Sequence, residues 1–453
     1  MRRFLQRLLK FLKWTGITLG ILLVVFVAIN AFDETLDPGA AAIINAQSKI
    51  KPEENAYFFL VGLRAPADRA PGEFGLECIT RLVVASKSHK ETMALFASGK
   101  TGCTDEKPWL AGQDISAISC ERQKESCFSH YQKQNIAIKQ VAESNKLLLQ
   151  RYEQLLAMEQ YDGASYVRVL SIGLTSHYAI SELFSAVTVI KLQEGDAQAF
   201  IQRTASAAKF HRMVLRGNGD LVSKLIALHN IQRAANLASA AVRENPMLAH
   251  IYQPVLLTIS QPLTDAERSL ESVMVAEFRQ LASTLSLDKY ADEASFFDKL
   301  LIQFSYKYNA TLNRLYRDSL GWRDLSQLSA EQYLAAEKTA LAKFEEPWHD
   351  GYMHIIYNPL GKTLLGISSP KYATFPRRTI DIDGRLRLVS LQIQIAAQKI
   401  PESEISPFLK NAAPQFRDPY TGQPMQWDKT RGLYFRGHSD RITDKEGFVS
   451  IKL

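Results

Sequence analysis

An uninterrupted apolar run near the start of the chain limits its architecture more than any other feature. Residues 14–32 (WTGITLGILLVVFVAINAF) are 19 consecutive positions without a charge. As a helix rising 1.5 Å per residue, the run is roughly 28 Å long, about the thickness of a bilayer's hydrocarbon core. A buried helix of a soluble protein is a poor reading, because the run lies behind a purely basic tail, residues 1–13. A secretory signal also starts basic, but its apolar core spans about 7–15 residues and ends at a small-x-small site. This run is longer and leaves through Ile29, Asn30, Ala31, Phe32 and Asp33, a poor cleavage context. It reads as an uncleaved transmembrane anchor.

Orientation follows from the flanks. Arg2, Arg3, Arg7, Lys10 and Lys13 precede the run, whereas Asp33, Glu34 and Asp37 follow it. Positive flanks stay cytoplasmic, so residues 33–453 are expected across the membrane. No later stretch has 18 uncharged apolar residues, so a single pass is expected. Gly16 and Gly20 share a face and form a weak Gly-x-x-x-Gly signal for homodimerisation in the membrane.

The same five cations explain most of the formal charge of +7, leaving +2 for the other 421 residues. That balance argues against a nucleic-acid partner, which needs far more concentrated positive charge. With 46% hydrophobic and 22% charged residues, the chain belongs with ordinary folded proteins.

Cys78, Cys103, Cys120 and Cys127 fall within one 50-residue window, separated by 24, 16 and 6 residues. An even number in an exported region predicts two disulfides, with three pairings open. No Cys-x-x-Cys pair supports zinc. Cys120 and Cys127 can bridge only if the chain turns between them, because seven residues of helix rise about 10 Å.

The expected fold is mainly α: a transmembrane helix, an irregular antiparallel helical array, and a small C-terminal α+β portion with a β-hairpin. Residues 33–130 form a juxtamembrane and Cys-containing region of short helices, residues 131–345 the array, and residues 346–453 a mixed C-terminal segment. In the array, Leu221, Leu225, Leu228, Ile231, Ala235, Ala238 and Val242 recur at helical spacing, as do Leu270, Met274, Phe278, Leu281 and Leu285. Asp220 and Thr264 stand at N-cap positions. Residues 385–397 (RLRLVSLQIQIAA) mix two periods, and the preceding Asp383 and Gly384 favour a helix. Residues 425–428 and 432–436 flank a three-residue gap closed by glycine, which predicts the hairpin.

Three segments carry a family likeness: residues 55–67 (NAYFFLVGLRAPA); residues 358–365 (NPLGKTLL) with Arg378, Asp381 and residues 386–391; and residues 418–427 (DPYTGQPMQW) with Leu433, Tyr434 and Phe435. Together they resemble an uncharacterised family of proteobacterial single-span inner-membrane proteins. The third segment is also similar to the end of type II secretion pseudopilins, although the pilin-type processing site is missing here. The resemblance implies a bacterial inner-membrane protein with a mainly helical periplasmic body, and implies no activity. On physical grounds alone, Asn358, Pro359, Leu360 and Gly361 read as a turn with Gly361 free to take positive φ, and residues 418–422 as another.

No catalytic motif stands out. His-Glu-x-x-His, Gly-x-Ser-x-Gly and phosphate-loop patterns are all missing. Gly217, Asn218 and Gly219 make an interhelical turn rather than a dinucleotide loop. His177, His211, His229 and His250 are scattered over separate helices and read as locally satisfied. Two acidic groupings invite calcium, Asp381 with Asp383 and residues 440–447, but neither has the regular loop spacing; they read more simply as helix caps and a solvated tail. Pro376, Arg377 and Arg378 are too few for a phosphate patch. No cofactor is expected. The first expectation is therefore a membrane-anchored periplasmic interaction or scaffold protein with an envelope protein partner. The alternative is an envelope hydrolase assembled in three dimensions, with His349, Asp350 and His354 as its candidates. A small-ligand receptor would instead show an apolar cavity within the array.

Overall fold

The computed structural model describes residues 2–85, 110, 115–120, 126–166, 174–286, 295–345, 356–368, 372 and 374–453. The chain is mainly helical, with one small antiparallel sheet near its end. It divides into two compact units, each assembled from three separated segments.

The first unit comprises residues 1–46, 281–321 and 338–371. Its first helix, Arg2–Ile29, contains one stretch long and apolar enough to cross a membrane, Leu9–Ile29, none of it buried. The expected anchor extends three residues further, to Phe32. The helix stops earlier because Asn30 diverts the chain: its amide donates to the Ile356 carbonyl at 2.7 Å and its side-chain oxygen accepts from the Asn358 amide at 2.9 Å. Asp33 then accepts the first-turn amides of Asn309 and Ala310, at the start of helix Tyr308–Ser326. Asn358, not Gly361, takes the positive φ, at 53°. Pro359 opens helix Pro359–Ser368 and Gly361 lies inside it, where a Cβ would collide with Thr311 and Asn358. The glycine is required for this close approach, not for a turn.

The second unit comprises residues 47–280, 322–337 and 372–453. Helix Leu221–Glu244 is its axis. Of the face expected from the sequence, Leu228, Ile231, Ala235, Ala238 and Val242 are buried, but so are Asn230, Gln232, Arg233 and Ala234 on other sides. Helices Leu174–Gln193, Ala197–Arg216, Met247–Ile259 and Thr374–Ala397 pack around it. Asp220 caps it by accepting from the Ser223 amide at 2.7 Å, and Thr264 forms a full capping box with Glu267. Residues 217–220 are the expected interhelical turn.

The 55–67 segment has a structural task in this unit. Asn55 caps helix Ala56–Val61 and exchanges two hydrogen bonds with the Asp162 backbone, at 2.9 and 3.0 Å. The buried guanidinium of Arg151 donates to the carbonyls of Leu63, Ala65, Pro66 and Arg69, which no helix would otherwise satisfy.

The hairpin forms where expected: β1 (Gln426–Asp428) pairs antiparallel with β2 (Gly432–Arg436), with Trp427 opposite Leu433. A further strand, β3 (Phe448–Ile451), pairs on the other side of β2, so residues 440–447 form a connection within the sheet and not a tail. Helix Thr374–Ala397 lies against this sheet and begins nine residues before Asp383. Asp381 and Asp383 are therefore interior helical residues, fully buried, and cap nothing. Gly384 lets the ring of Phe435 rest directly on the helix backbone.

Candidate functional site

Within the second unit, a cleft of about 710 Å³ opens between six stretches of chain, one of them contributing Glu182. That volume is within the range of ligand sites. Helix Leu221–Glu244 supplies Gln232, Arg233, Asn236 and Arg243, and the first half of helix Thr374–Ala397 supplies Arg378 and Arg385. Asp440 and Arg441 come from the β2–β3 connection, Lys452 follows β3, and Ser126, Cys127 and Phe128 form a rim. Cys127 is held by its disulfide to Cys120, with the two Cα atoms 5.4 Å apart. Cys78 is also disulfide-bonded, whereas Cys103 is outside the described residues.

The cations divide into two groups. Arg233 is internally compensated: it donates to Glu182 at 3.2 Å, Asn230 at 3.1 Å and Ser181 at 3.3 Å, and lies over the Tyr178 ring. Glu182 therefore cancels Arg233, and among the described lining residues the one other carboxylate is Asp440. Arg385 is oriented by Asn236 at 2.6 Å. Arg243, Arg378 and Arg441 form no ion pair among the described residues, and the Arg378 Nε is buried without an acceptor. Burial, and secondarily the neighbouring Arg441 charge, push the Arg378 guanidinium down from its usual range. Neighbouring guanidinium groups without ion-pair partners, such as Arg378 and Arg441, suit an external oxyanion, which they can grip with paired N–H donors.

A second polar cluster lies on another side of the same helix and is closed. His177 and His211 stack with ring centroids 5.2 Å apart, and the Tyr152 hydroxyl is 3.4 Å from His211 Nε2. His177 Nε2 and His211 Nδ1 have no hydrogen-bond partner among the described residues. Burial, and then the Arg233 charge, lower His177 to about 4; burial, then the His177 and Arg233 charges, push His211 well below its ordinary value. A neighbouring void of about 10 Å³, lined by His211, Thr188, Thr204 and Asn230, has room for one water at most. It is far too small to be the cavity of a small-ligand receptor.

The sequence reading treated these histidines as separate, and the fold brings two of them together. The acidic groupings are likewise accounted for without calcium. Asp381 accepts the Tyr420 hydroxyl at 2.6 Å and the amides of His438 and Ser439. Asp383 accepts Leu263 N at 2.6 Å and pairs with Arg387. Asp444 accepts the amides of Glu446 and Phe448, and Arg431 pairs with Glu446 and Asp444. Among the described residues no cluster of His, Cys, Asp or Glu suits a metal ion. His349, Asp350 and His354 lie outside the described residues. Gly16 and Gly20 lie on the exposed first helix with nothing within 4 Å of a Cβ placed there.

The cleft was hidden in the sequence because its cations come from positions 233 to 452 and a net charge averages them away. Arg377 and Arg378 were the one local signal, and the fold separates them: Arg377 pairs with Glu337, while Arg378 lines the cleft. No known family, curated protein or solved structure matches this chain.

Proposed function

We propose that this chain is a single-pass bacterial inner-membrane protein whose compact units lie in the periplasm and bind an anionic envelope partner without catalysis. The observation that carries the reading is the cleft in which Arg243, Arg378 and Arg441 form no ion pair among the described residues and the Arg378 Nε is buried without an acceptor. Such groups cost stability when left partly desolvated, and their arrangement is useful only to a ligand that brings phosphates or carboxylates. The basic flank before helix Arg2–Ile29 supports a cytoplasmic N-terminus, and the Cys120–Cys127 disulfide agrees with an oxidising compartment. The likeness to proteobacterial single-span proteins points to the same membrane.

Calorimetry on the full chain in detergent, with tripolyphosphate and an oligo-aspartate peptide as probes, tests the cleft. Saturable binding is expected, weakening with salt, retained by Lys209→Glu on the exposed surface and reduced at least tenfold by Arg378→Glu with Arg441→Glu. Binding of neither probe, or equal binding by the double variant, refutes the reading. Alkaline phosphatase fused to the C-terminus tests the compartment separately: it should be active.

A further inference from the structure

The first unit carries an apolar helical face that its own core does not cover. Helix Phe296–Ser305 begins with a capping box in which Ser295 and Asp298 exchange hydrogen bonds. Phe296 and Phe297 are 73% and 78% exposed, and Leu300 and Leu301 are 44% and 67% exposed. Spaced by one, four and five residues, these side chains occupy one side of the helix. Four large apolar groups in one contiguous patch need a partner, unlike apolar residues scattered singly.

The location of this helix identifies that partner. The chain leaves helix Phe296–Ser305 at Tyr306, and the next amide, Lys307, donates to the Asn358 side chain at 2.8 Å. The Asn358 backbone amide donates to Asn30, which terminates the apolar first helix. Two hydrogen bonds therefore fix the end of the exposed helix to the point where the apolar first helix ends. A helix of ten residues is about 15 Å long, so its apolar side lies within about 15 Å of that point. Phe32, 81% exposed, and Tyr357, which donates to the Phe32 carbonyl, stand at the same level. Aromatic side chains at the end of an apolar helix mark the membrane–water boundary.

We propose that helix Phe296–Ser305 is an interfacial helix, with Phe296, Phe297, Leu300 and Leu301 inserted among the lipids of the leaflet in which the first helix ends. The inference rests on the reading that Leu9–Ile29 crosses a bilayer. The helix has the short, capped, one-sided character of segments that lie flat in a headgroup layer. It would fix the tilt of the first unit on the membrane, which a single flexible anchor leaves open.

The test uses the full chain in nanodiscs of phosphatidylcholine and phosphatidylglycerol containing a phosphatidylcholine with a diazirine in its acyl chain. After illumination, adducts are mapped by mass spectrometry. Adducts are expected in Leu9–Ile29 and also on Phe296, Phe297, Leu300 or Leu301. In Phe297→Ser with Leu301→Ser, adducts on the second group should fall at least tenfold while those on the first helix persist and the circular dichroism is unchanged. Labelling of the first helix without Phe296–Ser305 in the unsubstituted chain overturns the inference and leaves the anchor standing. The same holds if that helix is instead crosslinked to a second copy. Labelling of neither removes the anchor reading itself, and this inference with it.

Discussion

Helix Leu221–Glu244 separates two clusters of incompletely bonded polar groups, and their fates differ because water reaches one and not the other. On the cleft side, Arg243, Arg378 and Arg441 line an open volume. On the closed side, His177 and His211 are driven neutral by burial. An unpartnered polar atom is thus a binding feature where it faces an open volume, and a conditional weakness where it faces packed helices. The same distinction separates charges that have protein partners from charges that await one.

The largest effect should come from removing a partner inside. Glu267 is fully buried, pairs with Arg212 at 2.8 Å and with Arg216, and completes the capping box at Thr264. Glu267→Ala leaves Arg212 buried without its counter-charge and should cost about 3–5 kcal/mol in denaturant unfolding. Glu267→Gln keeps a cap acceptor and should cost less. A loss under about 1 kcal/mol for the alanine variant would show that water enters here as it enters the cleft.

Acid should separate the two sides next. With its ordinary value of 6.5 lowered to about 4 in the fold, His177 takes up a proton in the unfolded chain first. Stability from this group is therefore complete above pH 6.5 and is lost as pH falls from 6.5 towards 4, by roughly 3 kcal/mol. His211 acts in the same direction. Unfolding followed across this window should show the slope, and His177→Phe should flatten it. Tripolyphosphate binding extrapolated to the folded fraction should not show the histidine slope, because no histidine is among the described residues that line the cleft.

Replacing one cleft cation should act in the opposite sense on stability and on binding. Arg378→Met removes a desolvated guanidinium next to Arg441 and should stabilise the fold by about 1 kcal/mol while weakening anion binding. If it destabilises instead, Arg378 has a structural role and the contrast between the two sides fails.

Much of the scaffold was legible in the sequence. The uncharged run, the caps at Asp220 and Thr264, the 217–220 turn and the hairpin are all local signals, and local physics decides them. Features built from distant residues were not. β3 escaped because Val449 and Ile451 make too short an alternation to be seen without β2 beside them. Asp383 looked like a helix start because aspartate and glycine mark boundaries, yet a contact from Leu263 and a pair with Arg387 allow the carboxylate to lie mid-helix. The cleft and the histidine stack depend on side chains dozens to hundreds of residues apart, which no window of sequence brings together. The end of the first helix is similar: only the distant Asn358 explains why the chain turns at Asn30.

The smallest expected effect concerns Asp381, a buried carboxylate satisfied entirely by the protein. Burial raises its pKa, while the Tyr420 hydroxyl at 2.6 Å and the amides of His438 and Ser439 oppose that rise. Tyr420→Phe removes one of three donors and leaves the ring packing against His438 intact. The cost should be about 1 kcal/mol, as for a single hydrogen bond to a group that keeps others. Asp381 should then protonate at a higher pH than before, detectable as a carboxyl signal moving to higher pH in infrared titration. The cleft should remain able to bind anions, because Asp381 is tied up within the protein and lends nothing to it. Loss of tripolyphosphate binding in this variant would mean that the β2–β3 connection carrying Arg441 depends on Tyr420, so that the site and its support are not separable.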